Sequence, residues 1–439
     1  MAYAATKGRA TKGLSDLSPR CGFPGVNMRA LTYLLTSVAV ALSVAIILST
    51  AWMTTIAYGP MPFWDAWEVA SLNRSWGRLW SLHNEHMITF PRLFYGLDTV
   101  TVHGTGKLSI LFIWVFQLTS AILIARMARL QMWVAMPIVI SLMFWGRHLE
   151  NLSWSFQVGF IGLCFVAVLT MWLLQRTSMG AAAIALAVGG TAAFWSLNGF
   201  LLPVIAAAHC ILSKRYAMAA AFISALAVSL LIYVVSGFGS APGGAVQLPR
   251  LTHIAAVGFD IVGRPFAELI VRPTAFEGAA EGLGSLIGAL IVGALLFPLI
   301  ELWRLPSPRR AALVGVSLFG FGSCFMAAIG RSEDYTAPAY RYAVFAVLGA
   351  LPVLLMWLEK VGHRRLFTSL AAVVVCGLFA RNTAAWYPFA VQRGGIERDA
   401  IAAIKASPDN PESYRLLYPS PEAIREQIAY MRENGLGIF

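Results

Sequence analysis

LTYLLTSVAVALSVAIILSTAWMTTI, residues Leu31–Ile56, decides the class of this fold. It carries no charge from end to end and is long enough to cross a hydrocarbon core of about 30 Å. Lys7, Arg9, Lys12, Arg20 and Arg29 precede it, as they would a signal peptide. A signal peptide's apolar region is only about 7–15 residues, so this stretch reads as a retained anchor and span.

Runs of the same kind recur as far as Ala380. The chain of 439 residues is 58% hydrophobic and 12% charged, with a mean hydropathy of +0.69. Soluble domains carry about 25% charged residues, which excludes that class. The composition implies an all-α polytopic membrane protein. A net charge of +12 then reflects topology and gives no argument for nucleic acid. Cys21, Cys164, Cys210, Cys324 and Cys376 are scattered, with no CxxC spacing, so neither a disulfide framework nor a zinc site is suggested.

Residues 1–28 are rich in Gly, Ser, Lys and Arg and predict a disordered cytoplasmic tail. A transmembrane domain is expected over 29–384, with spans at 30–57, 108–125, 132–146, 157–174, 180–196, 199–213, 217–236, 284–303, 311–329, 340–358 and 366–384. With the N-terminus inside, the inside loops hold Arg126 and Arg129; Arg176; Lys214 and Arg215; Arg304, Arg309 and Arg310; and Lys360, Arg364 and Arg365. Most acids fall on the opposite face. The positive-inside rule then predicts eleven spans, N-inside and C-outside.

Three outside segments are long. Residues 58–107 form the first loop, where Val69, Leu72, Trp76 and Leu79 are spaced as on a helix lying in the interface, beside Trp64, Trp67 and Trp80. Residues 237–283 begin rich in Gly, Ser and Pro and become weakly amphipathic over Leu251–Val271. Residues 385–439 predict a small helical tail with helices at Ile396–Ala406 and Pro421–Asn434, the second stopped by Gly435.

The chemistry-bearing residues gather in these outside segments. Asp65 and Glu68 share a helix face. A carboxylate at the membrane edge, shielded by tryptophan, suits a general base. The competing reading is an N-cap, since Asp-x-x-Glu resembles a capping box, and the two roles would leave one acid available. His83, Glu85 and His86 could hold a divalent ion, but the spacing is not HExxH, and loop packing is the plainer explanation. Arg92 could anchor to phosphate or pair with Glu85. Arg147, His148 and Glu150 lie in a short outside turn between Trp145 and Trp154. Arg331, Glu333 and Asp334, followed by Arg341 and Tyr342, form a second dense cluster, and an arginine fork binds two phosphate oxygens at once. Arg341 could equally snorkel to the interface. In the long loop, Arg250, His253, Asp260, Arg264 and Arg272 could contribute further. Asn73-Arg-Ser and Asn151-Leu-Ser are sequons.

There is no Walker A loop, GxGxxG or GxSxG, and mid-span charge is nearly missing, so a transporter's usual ion relay is lacking. Asp65, the His83-Asn-Glu-His86 stretch, Arg341-Tyr342 and Leu417-Tyr-Pro-Ser-Pro-Glu422 together resemble the type C (GT-C) glycosyltransferase superfamily, and in particular multi-pass bacterial members of that type. The resemblance implies a polyprenyl-phosphate-linked sugar as donor, a cell-envelope glycan or lipid as acceptor, and transfer on the periplasmic or extracellular face of the cell membrane. It maps the general base onto Asp65, with Glu68 as understudy. Donor phosphate would be met by Arg341 and Arg331, with Arg264 or Arg147 possible; Trp64, His83, Glu85, His86, Arg92, Glu150 and Tyr342 would bind substrate. The first loop lacks an aspartate pair or DxD, which favours a mechanism without metal, and no cofactor is expected. The large C-terminal domain of oligosaccharyltransferases is also absent. Two other readings stand beside this one: an O-antigen-type polymerase or ligase centred on 237–283, and a lipid-carrier flippase or transporter.

Overall fold

A computed structural model of the protein describes residues 27–69, 76–238, 250–270, 277–330, 339–361 and 365–439. The expected tail at 1–28, Arg331 with Glu333 and Asp334, Arg272 and the sequon at Asn73 thus lie wholly or almost wholly outside the described residues. Among the described residues there are helices and no strand. In chain order the first are α1 (Met28–Ala57), α2 (Ala66–Val69), α3 (Thr89–Val102), α4 (Lys107–Met127), α5 (Met132–Met143) and α6 (Leu149–Ser153). Then come α7 (Val158–Leu174), α8 (Met179–Gly189), α9 (Leu201–Leu212), α10 (Tyr216–Val235), α11 (Leu251–Ala267) and α12 (Glu277–Ala294). The last are α13 (Leu296–Arg304), α14 (Pro308–Ile329), α15 (Ala343–Val361), α16 (Arg365–Ala384), α17 (Tyr387–Ala406) and α18 (Arg425–Glu433).

Backbone N–H and C=O groups find no water in a hydrocarbon core, so helices that satisfy their own hydrogen bonds are the structure these apolar runs can adopt. Among the described residues, eight helices are long and apolar enough to cross a membrane. The number is nine if α5 and the Gly146–Ser153 segment, bent by 46° from it, form one broken span. The protein is therefore an all-α, multi-pass membrane protein. Two of the eleven expected spans, 180–196 and 199–213, appear as the shorter apolar helices Met179–Phe194 and Leu197–Leu212. Each is roughly 24 Å long at 1.5 Å per residue. Their facing ends meet in a tight turn: a Cβ on Gly199 would lie 1.9 Å from the Ala192 carbonyl oxygen.

The weakly amphipathic stretch after 250 becomes α11, which packs on α12, α14 and α15 and buries Asp260, Ile261, Val262 and Arg264. Glycine makes this possible. A Cβ on Gly263 would meet the Gly284 carbonyl oxygen at 1.9 Å and the Gly288 nitrogen at 2.3 Å, and one on Gly288 would meet the Phe259 carbonyl oxygen at 1.9 Å. Gly284 and Gly288, four apart, present one small-residue face that lets two backbones approach. Gly263→Val is expected to force this seam apart at a cost of about 3 kcal/mol, lowering the unfolding temperature in detergent, whereas Gly282→Ala, with open space at its Cβ, should leave it unchanged.

The first loop and the C-terminal tail form one apolar core. Met61 and Trp67 pack with Ala400, Ile404, Tyr414, Leu417, Ile424, Ile428, Met431 and Leu436. Two backbone hydrogen bonds fasten them, from Trp64 N–H to Leu417 O at 2.9 Å and from Gly437 N–H to His103 O at 2.7 Å. The tail's helices differ from expectation in extent: α17 begins already at Tyr387, and the segment from Pro421 opens as a 3-10 turn, Pro421–Ile424, before α18. Gly435, at φ 62°, follows the end of α18 in a conformation that costs glycine little. Of the interfacial helix expected around 69–80, the described residues show the end of α2 and a 3-10 turn, Trp76–Trp80, while 70–75 lie outside them. Trp64 and Trp80 are exposed, but Trp67 is fully buried against Tyr414, edge to face with ring centres 6.0 Å apart. The tail takes this indole, so it does not reach a headgroup surface.

Candidate functional site

The site begins where α1 ends. Phe63 is held from two sides: the Trp154 indole N–H donates to its carbonyl at 3.1 Å, and the Arg393 guanidinium lies 3.4 Å over its ring. Trp64 follows at φ 48°, a left-handed conformation that is costly for a bulky side chain. The turn sends Trp67 inward to the tail core and leaves Asp65 half-exposed above it.

Asp65, Glu68 and His83 then converge, with one ligand atom from each lying within 4.8 Å of the others. Glu68 accepts from His83 Nδ1 at 2.8 Å. That bond, ahead of opposing burial, and the fields of His83 and Arg92 hold the Glu68 carboxyl below its usual range. Among the described residues the Asp65 carboxylate accepts no hydrogen bond. The capping-box reading therefore fails: Glu68 is engaged by an imidazole rather than by backbone N–H, and Asp65 is the acid left open. With two carboxylates and an imidazole, the three residues form a donor set that a divalent ion can occupy.

His83 is positioned by the turn that follows it. His83 and His86 exchange backbone hydrogen bonds at 2.8 and 2.9 Å across Asn84, which sits at φ 51°. Asn tolerates this left-handed geometry better than most residues. His86 Nδ1 accepts from Leu197 N–H at 3.2 Å, so its proton resides on Nε2, facing Glu85 at 3.2 Å. His83 also packs on Phe156, whose carbonyl accepts the Tyr95 hydroxyl at 2.8 Å.

The arginines divide into two groups. Arg341 pairs with Glu150 at 3.5 Å, and its electrostatic partners include Asp65. Its carbonyl accepts from Asn151 at 3.0 Å, and Tyr342 beside it is buried. Arg393 pairs with Glu397 at 2.7 Å and also feels Glu150. A chain of alternating charge thus runs Asp65, Arg341, Glu150, Arg393, Glu397. The other candidates are spent elsewhere. Arg147 is buried against Glu268 and between the Tyr340 and Trp386 rings. Arg264 pairs with Asp260 at 2.7 Å within α11. Arg92 donates to the carbonyls of Arg78 at 2.7 Å and Leu79 at 3.4 Å, and to that of Ser81, clamping the first loop.

Sequence reasoning did not single out Arg393 or Tyr418. Tyr418 arrives with the tail, and burial, then Glu68 and Asp65, hold its phenol above the usual value. Its signal was the Leu417-Tyr-Pro motif; Arg393 had only a Glu four residues on. A small cavity of about 40 Å³ lies under the loop, lined by Met61, Val69, Tyr95, Asp98 and Leu436, and does not reach Asp65. Asp98 caps α4, accepting from the N–H groups of Gly106 and Leu108 at 2.7 Å and of Ser109 at 3.2 Å.

The Glu68–His83 bond predicts an acid transition. A carboxyl depressed in the folded state contributes stability in full above about pH 4.3, the ordinary glutamate value; the contribution disappears as pH falls through the lowered value. Hydrogen exchange of 82–88 should therefore accelerate below that range in the native protein. In Glu68→Gln it should be fast already at neutral pH and show no acid step.

No protein-family model, curated protein or solved structure matches this chain.

Proposed function

We propose that the protein is a membrane glycosyltransferase of the GT-C kind, moving a sugar from a polyprenyl-phosphate donor to a hydroxyl of a cell-envelope acceptor. The observation that carries this reading is the Asp65 carboxylate, accepting no hydrogen bond among the described residues, within the field of Arg341 at the rim of a helix bundle. The acceptor oxygen attacks the anomeric carbon, and Asp65 takes its proton. The bond from that carbon to the phosphate oxygen breaks, and the polyprenyl phosphate leaves with the electron pair. Arg341, with Arg393 behind Glu150, balances the phosphate's charge. Charge-assisted guanidinium–phosphate bonds suit a leaving group whose negative charge grows in the transition state.

Glu68 and His83 act in this scheme as a support that keeps the Asp65 turn in place. The basic loops mark the opposite side as the inside, so this reading sets the site on the periplasmic or extracellular face of the cell membrane.

The test is purified protein in lipid with polyprenyl-phosphate sugars and a glycan or lipid acceptor. The expected result is release of polyprenyl phosphate matched by a new glycosidic bond. Movement of the carrier across vesicles with no new bond would replace this reading with a flippase.

A further inference from the structure

A second polar site lies at the far end of α15 from Arg341. It is a cleft of about 380 Å³ between the α4–α5 turn, α13, the start of α14, the end of α15 and the start of α16. Its charged walls are Arg129, Arg310, Lys360, Arg365, Glu301 and Glu359.

Both acids are already neutralised. Glu359 receives Arg309 through both oxygens at 2.8 Å, and the Arg129 backbone N–H at 2.7 Å. Arg309 is itself fixed by the Met127 carbonyl at 2.6 Å. Glu301 receives Lys360 and, at 3.5 Å, Arg310. The guanidinium groups of Arg129 and Arg365 form no ion pair among the described residues. Helix ends add to this surplus. Gln131 sits at the N-cap position of α5 without a side-chain capping bond, Arg310 lies in the first turn of α14 and Arg365 opens α16, and none of these helices has an acid in its first turn. Each such end carries about half a positive charge and directs N–H donors outward. A positive-inside bias explains basic residues in these loops; it does not gather them around one cleft whose acids are satisfied.

We propose that this cleft binds a phosphate or diphosphate group, carried either by a lipid of the adjacent leaflet or by a soluble molecule. A water molecule in the liquid takes about 30 Å³, so the cleft admits such a group with part of its hydration. The proposal does not depend on transfer at Asp65.

The experiment uses the full chain in nanodiscs and reads the unfolding temperature, which rises when a ligand binds the native state. One arm titrates pyrophosphate into phosphatidylcholine discs against chloride of matched ionic strength; the other incorporates phosphatidic acid. A saturable rise in the first arm identifies a soluble source, and a rise confined to the second identifies a headgroup. In either case R129Q/R365Q should weaken the response about tenfold or more, as expected when charge-assisted bonds are lost. The control R304Q, at an exposed arginine outside the cleft, should not. No rise in either arm, an equal rise with chloride, or an unaltered response in R129Q/R365Q overturns the proposal.

Discussion

Asp65→Asn is expected to lower the rate of sugar transfer by about 10²–10⁴ while leaving the unfolding temperature unchanged. The amide keeps the shape of the carboxylate and cannot take a proton from the acceptor. Asp65 accepts no hydrogen bond among the described residues, so its replacement breaks none of the contacts that hold the loop. The comparison with Glu68→Gln separates chemistry from support. Glu68 is bonded to His83 at 2.8 Å, so its loss loosens the loop and should depress transfer less than Asp65→Asn, with faster exchange at 82–88. Transfer at the wild-type rate by Asp65→Asn would remove this residue as the base.

Trp67→Ala is expected to separate the tail from the first loop, at a cost of about 3–5 kcal/mol for a fully buried aromatic. Among the first-loop tryptophans whose burial is described, Trp67 is the one that is completely enclosed, at 0% exposure, and it meets Tyr414 from the tail. Loss of the indole leaves a cavity between two segments that the chain joins only through the whole bundle. Limited proteolysis should then cut 407–424 faster than in the native protein, and transfer should fall because Trp64 and Asp65 lose the Leu417 anchor. Trp67→Phe is the informative contrast. The indole N–H has no hydrogen-bond partner among the described residues, so phenylalanine gives up volume but no bond there and should be cut no faster than the native protein. Cutting of the alanine variant no faster than wild type would show that the tail is held elsewhere.

The chain by itself determined the membrane class, the positions of most helices and the stretch in which Asp65, Glu68 and His83 meet. These are local properties. The transfer free energy of an apolar run is a sum over about twenty neighbouring residues, and Asp65 and Glu68 are brought together by three residues of backbone. The short helix pair around Gly199 was less legible, because a broken apolar run looks continuous until the Ala192–Gly199 contact is known. What only the tertiary structure decided was which charges remain open. Arg264 and Arg147 stood behind Arg341 and Arg331 as phosphate ligands, and Asp260 and Glu268 occupy them closely, whereas Arg341 meets Glu150 only at 3.5 Å. Arg393, Tyr418 and Tyr414 come to the first loop from more than 300 positions along the chain. A side chain's charge and shape are written in its own residue, whereas its partner is chosen by packing, and packing joins residues that no local pattern in the sequence connects.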